Sequence, residues 1–228
     1  MATFSHDDLE RIRGQLKEGS LNDRRLALNE LSNCDSEVAV TFLRSFLESP
    51  DFSLRKFVAM GLGNHLTDSS FSLLELMSKE EKDPNVLSEV GNSLYEFGDR
   101  ALPILQDMFE AHDNWLLRQT ILSLVAESKD EQRIWDVALL ALEDKHQTVK
   151  ETGIFALGLL LRGDFNAKAW AELQRLAEHP FWRTRWRVAI ALQHGSLEQV
   201  QPLLLKMKGD EHFRVVSAAM DVLNAFSS

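Results

Sequence analysis

The sequence predicts an all-α fold, and three observations carry that prediction. Apolar residues recur at three- and four-residue steps, as in Val38, Phe42, Leu43, Phe46 and Leu47, which is the stripe of an amphipathic helix. Nowhere do apolar and polar residues alternate between turn signals as a strand requires. A similar segment also returns about every thirty residues, the signature of a stacked repeat. We expect one repeat domain spanning 1–228, with 1–34 and 197–228 as its terminal capping repeats.

The segment from Asp51 to His65, DFSLRKFVAMGLGNH, is the best-preserved copy. With Leu62 as its anchor, equivalent places fall at Leu31, Leu94, Leu124, Leu157, Leu192 and Met220, at spacings of 31, 32, 30, 33, 35 and 28 residues. The residue before the anchor is small in six of the seven copies. That choice lets one helix approach the next while the large anchor fills the space between them. Turns rich in Asp, Asn or Pro precede each such helix, at Pro50 and Asp51, Asp83 and Pro84, Asp113 and Asn114, Asp144, His179 and Pro180, and Gly209 and Asp210. Aspartate there is expected to cap the helix that follows.

A first helix stands before each turn. These are expected at 38–47, 70–79, 101–110, 134–142, 167–178 and 197–208. Pro103 and Pro202 fall in the first turn of theirs, where a missing N–H donor costs little. The isolated glycines Gly61, Gly63, Gly91, Gly153 and Gly158 form no phosphate loop and are read as contact points between helices.

Helical pairs of about thirty residues, a capping Asp, a basic residue opening the second helix and then small residues with Leu-Gly resemble HEAT repeats of the short type. LRKFVAMGLG at 54–63 and VKETGIFALG at 149–158 carry the resemblance best. Arg24, Arg55, Lys150 and Arg185 fill the basic position, whereas Leu87, Leu117 and Phe213 depart from it. The resemblance implies a right-handed α-solenoid, an α-α superhelix of about seven armadillo-like pairs whose second helices line a groove. The residues after the basic position, such as Lys56 and Phe57, Trp186 and Arg187, or Arg214 and Val215, would then face that groove. The short type includes the HEAT-like repeats named after phycobilisome lyases, which attach or remove bilin chromophores on phycobiliproteins.

Composition narrows the function classes. The formal net charge of −10 disfavours a general nucleic-acid binder, whose affinity comes from neutralising phosphates. Lys and Arg number 11 against 21 Asp and Glu in residues 1–114, and 14 against 14 in residues 115–228, so all the excess lies in the first half. No apolar run is long enough to span a bilayer, and MATFSHDDLERIRGQ lacks the apolar core of a signal peptide; a cytoplasmic location is expected. The single cysteine, Cys34, excludes an internal disulfide and reads as a core residue. No metal site and no catalytic residue are expected, since the seven histidines form neither a helical pair four apart nor an HExxH motif.

The richest local chemistry is HPFWRTRWR, His179 to Arg187. On a helix, Trp182 and Trp186 share one face and Arg183 and Arg187 another. With Arg185, and with Lys150, Trp115 and Arg118 on earlier second helices, they form an expected aromatic and cationic partner-binding strip. The expected function is a non-catalytic scaffold that grips a partner protein through its groove. The resemblance implies a narrower alternative, a bilin lyase or chromophore-detaching protein that binds a tetrapyrrole and a phycobiliprotein. A third reading, from the similar solenoid of the alkylpurine DNA glycosylases, is opposed by the net charge.

Overall fold

A computed structural model describes residues 4–227, so 1–3 and 228 of the expected capping segments lie outside the described residues. Among the described residues there are 14 α-helices and no strand. They are α1 (His6–Glu18), α2 (Leu21–Leu31), α3 (Ser36–Arg44), α4 (Phe52–Gly63), α5 (Asp68–Glu80), α6 (Pro84–Tyr95), α7 (Leu102–Ala111) and α8 (Trp115–Glu127). The rest are α9 (Glu131–Leu142), α10 (Gln147–Leu159), α11 (Asn166–Ala177), α12 (Trp182–Ala191), α13 (Leu197–Met207) and α14 (Phe213–Ala225). They read as successive pairs, and each pair is a first helix, a short turn and a second helix. The chain divides into two compact units, residues 1–121 and 122–228, with the border inside α8.

In the first unit α4 packs against α2 and α6, and each of these second helices also packs on its own first helix. The core there is Ile12, Leu16, Leu28, Leu31, Leu43, Leu54, Val58, Leu62, Leu74, Val90 and Leu94, with Cys34 buried beside it. In the second unit α12 packs against α10 and α14 over Val149, Ile154, Leu157, Leu173, Val188, Leu192, Leu204 and Val215. Glycine marks where the second helices come closest. A Cβ on Gly63 would lie 2.8 Å from Ser93 Cβ on α6, and one on Gly158 would lie 2.7 Å from the Ala191 carbonyl oxygen on α12. Neither gap admits a methyl group without moving backbone or core.

The turns act through their side chains. The carboxylates of Asp51 and Asp83 accept N–H bonds from the first turns of α4 and α6, and Ser20 caps α2 in a reciprocal capping box with Asp23, so these ends are satisfied locally. Elsewhere the aspartate stands two residues further out. Asp144 Oδ1 accepts from the His146 N–H at 2.7 Å and Asp210 Oδ1 from the His212 N–H at 2.8 Å. The cap residue before α14 is His212, whose Nδ1 accepts from the Arg214 N–H.

Counting from the residue before each second helix fixes the register. The anchor lies eleven residues after it and the basic residue four, which gives Leu31, Leu62, Leu94, Leu157 and Leu192, all buried. The same count moves two expected anchors, to Val125 in α8 and to the half-buried Leu223 in α14. In α8 it selects Val125, which is fully buried, while Leu124 is only half-buried; the stripe of that helix runs Leu117, Ile121, Leu122, Val125. In α14 Met220 is exposed, off the buried stripe Val215, Ala218, Ala219 and Val222. Spacing between leucines drifts with turn length, whereas the cap fixes the helix phase directly.

The count also moves Arg118 onto the basic position, and the basic position is a structural device. Arg24 Nη2 donates to the Lys17 carbonyl in its own pair and to Asp51 Oδ2, at 2.7 Å, in the next. Arg55 Nη1 donates to the Ser49 carbonyl at 2.7 Å, and its Nε and Nη2 hold both Glu81 oxygens at 2.6 and 2.9 Å. Arg118 Nε reaches the carbonyls of Phe109 and His112. In the second unit Arg185 Nη1 donates to the carbonyls of His179 and Pro180, and its Nε and Nη2 grip Asp210 at 2.7 and 2.9 Å.

Arg185 and Arg118 are therefore corrected from partner-binding residues to parts of the scaffold. Only 8% of Arg185 is exposed, and the guanidinium of Arg118 is turned onto its own inter-helix turn. Val215, expected in the groove, is wholly buried.

Two outcomes follow for stability. The Arg185 and Asp210 side chains are 9% and 10% exposed, and Arg185 holds the Asp210 carboxyl below the ordinary carboxylate range. Arg185→Met leaves that carboxylate buried without its partner and should destabilise the second unit by about 3 kcal/mol. Removal of the exposed, solvent-screened Arg11–Glu30 pair should cost far less; urea unfolding followed by circular dichroism compares the two.

His65 is 4% exposed, its Nδ1 lies 3.1 Å from Ser36 Oγ, and burial pushes its imidazole below the usual histidine value. The unfolded chain takes up that proton first, so stability is fully present above about pH 6.5 and is lost as pH falls below it. The melting temperature should drop between pH 7.5 and 5.5, and His65→Gln should show the smaller drop.

Candidate partner-binding surface

The cap that starts α14 also builds a surface in the second unit. With Nδ1 fixed by the Arg214 N–H, the His212 ring lies flat on Trp182, centroids 3.9 Å apart and planes within 2°. Phe213 continues the stack at 5.1 Å from His212, and Phe181 leans on Trp182 at 6.2 Å. The Arg214 guanidinium sits 5.5 Å from the Trp182 ring and 5.9 Å from that of Phe213, within cation–π reach of both. Phe213 is 72% exposed and Phe181 40%. Beside the stack a groove of about 390 Å³ runs between α12 and α14, walled by Trp186, Ile190, Phe213, Arg214, Ser217 and Asp221 among others.

The two tryptophans thus point to the same neighbour, α14, as their four-residue spacing predicts. Both are half-buried: Trp182 is part of the stack and Trp186 part of the groove wall. Arg183 and Arg187 share the other flank and both reach Glu151 on α10. Arg183 Nε donates to Glu151 Oε1 at 2.8 Å and Arg187 Nε to the Glu151 carbonyl at 2.9 Å. Arg187 also lies 5.4 Å from the Phe155 ring, and burial lowers its proton affinity. These two arginines brace α12 against α10, with 42% of the Arg183 side chain still exposed, and the exposed cation over the aromatic stack is Arg214. Lys150 is half-buried on α10. Trp115 is exposed at the start of α8, in the first unit.

His212 and Phe213 are the members of this surface that the sequence reading did not place there, whereas Arg214 was among the residues expected to face the groove. A usable signal was present. The position just after the cap holds Leu21, Phe52, Trp115, Trp182 and Phe213 in five of the seven second helices, and Pro84 and Gln147 in the other two. It precedes the buried stripe, so a large apolar residue there gains no core burial, and four of the five are exposed. Among the described residues no three His, Cys, Asp or Glu side chains gather as metal ligands, and no helix is long and apolar enough to cross a membrane.

Comparison with known proteins agrees with this architecture. HEAT repeats match residues 43–126; no curated protein matches the sequence. Among solved structures, YibA of Escherichia coli superposes with a TM-score of 0.62 at 15% identity, covering 94% of this chain and 80% of that one. A Kap121p mutant gives 0.58 at 16% identity, over 98% of this chain and 29% of that one. The complex of CpcE and CpcF of phycocyanin lyase from Nostoc sp. PCC7120 is a looser likeness, at 0.48 and 15% identity over 96% and 94%. At such identities the likeness is one of fold. Residues 43–126 are HEAT repeats, and the chain has the fold of a HEAT-type α-solenoid.

Proposed function

We propose that this chain is a non-catalytic binding module that engages a partner protein through the second-helix surface of its second unit. The observation that carries this reading is the Phe181–Trp182–His212–Phe213 stack with Arg214 over it. Aromatic and arginine side chains dominate the energetics of protein interfaces, because they bring large area at little conformational cost. Here the outer ring of the stack is left in water beside a groove of side-chain size. A single exposed phenylalanine is ordinary, but Phe181 and Phe213 are exposed on one continuous aromatic patch, which is the mark of an interaction surface. The rigid helices behind it keep the surface preorganised, which lowers the entropy lost on binding.

A second, narrower reading rests on the flatness of the same stack. Parallel rings crowned by a guanidinium suit a planar, anionic body such as a tetrapyrrole. An unchanged absorbance spectrum on titrating the chain into free phycocyanobilin removes this reading and leaves the first intact.

For the first reading the measurement is capture from host lysate by the immobilised chain, beside a Trp182→Ala, Phe213→Ala variant. Phe213 contributes little to the core, so the variant should keep its helical circular dichroism. Proteins retained by the wild type should be reduced at least about tenfold on the variant, as expected when two central anchors are truncated. Identical retention on both, or none on either, overturns the proposal.

A further inference from the structure

We infer that the first unit carries a separate docking site, the groove between α2 and α4, and that its occupant is an acidic amphipathic helix of a partner protein. The groove encloses about 690 Å³. Leu21 and Phe52 form its rim, 68% and 49% exposed, and Phe57 and Met60 its half-buried floor. Leu21 and Phe52 are the first residues of α2 and α4, ahead of the stripes that begin at Arg24 and Leu54, so neither is held out by a core contact.

Charge identifies the occupant. Residues 1–114 hold 21 Asp and Glu against 11 Lys and Arg, yet none of the side chains walling this groove is acidic. Its two charged members are Arg25 and Lys56. The Arg25 guanidinium donates to Asn22 Oδ1 at 3.0 Å, a neutral acceptor that leaves its charge uncompensated. Lys56 Nζ lies 3.8 Å from Glu89 Oε2, a long pair.

An apolar, cationic groove set in an acidic unit selects strongly. A uniform polyanion such as nucleic acid meets repulsion from the surrounding carboxylates within one screening length of about 8–10 Å. A basic partner is drawn to the acidic surface and away from the groove. A short helix with Leu, Phe or Met three or four residues apart and Asp or Glu on its flanks satisfies both features. The apolar side chains enter between Phe52 and Met60, and the carboxylates meet Arg25 and Lys56.

The test is selection of random 16-residue peptides displayed on phage against the full chain, after depletion on an Arg25→Glu, Lys56→Glu variant of confirmed helicity. Enriched peptides should carry acidic residues beside apolar ones at helical spacing. When synthesised, they should bind the variant, and separately Phe52→Ala, at least about tenfold more weakly, with affinity falling as salt rises. Trp182→Ala should leave them unaffected. The inference is overturned if no peptide survives depletion, if the survivors lack acidic residues, or if Phe52→Ala binds them as well as the wild type. Displacement of the peptide by a DNA duplex at 150 mM salt also overturns it, and assigns the groove to phosphates instead.

Discussion

The arginine in the first turn of α2, α4, α8 and α12 is the interaction on which the stacking depends. Arg24, Arg55 and Arg185 each donate backwards to a carbonyl in or beside their own inter-helix turn and forwards to a carboxylate in the turn of the next pair. A guanidinium suits this because its fixed fork addresses several acceptors at once, which an ammonium point charge does not. A half-buried ion pair contributes little net stability, since desolvation offsets much of the attraction. Its effect is on register. Helix faces lined by Leu, Val and Ala slide over one another at modest cost, whereas a bidentate contact such as Arg55 to Glu81 has one satisfactory position. Apolar packing therefore supplies the attraction within each unit, and the arginines decide which turn faces which.

The ladder also explains why the surface chemistry lies where it does. With the basic residue turned inward, the residue just after the cap is left at the rim of each second helix. It lies ahead of the buried stripe, and in five of the seven second helices it is large and apolar. In the second unit the rim residue Trp182 meets the cap of the next second helix, and because that cap is a histidine the two stack. In the first unit the rim residues Leu21 and Phe52 flank a groove with basic walls. Two surfaces of different chemistry thus arise from one repeated position, by changing the side chain there and the residue that faces it.

Much of the scaffold was legible in the sequence because its causes are local. Apolar residues at three- and four-residue steps force an amphipathic helix, and Asp51, Asp83 and Asn114 mark helix starts by the hydrogen bonds they make. Small residues at contact points were readable too, since a Cβ at Gly63 or Gly158 has nowhere to go. The register of α8 and α14 was misread because the leucine alignment carried turn-length variation into the helix phase. As a result Leu124 and Met220 stood in for Val125 and the stripe around Val222.

The sequence by itself determined an all-helical chain of repeated pairs and the character of each face, because helix formation and amphipathicity depend on neighbours within one or two turns. It also singled out 179–187 as chemically unusual. Only the tertiary structure decided what each of those residues does, because that depends on partners 25 or more positions away: Asp210 for Arg185, Glu151 for Arg183 and Arg187, His212 for Trp182. Three arginines on one short helix look alike in sequence. Their surroundings make one a buried tie between pairs and two a brace on α10, and leave the exposed cation of the surface to Arg214, on the next second helix.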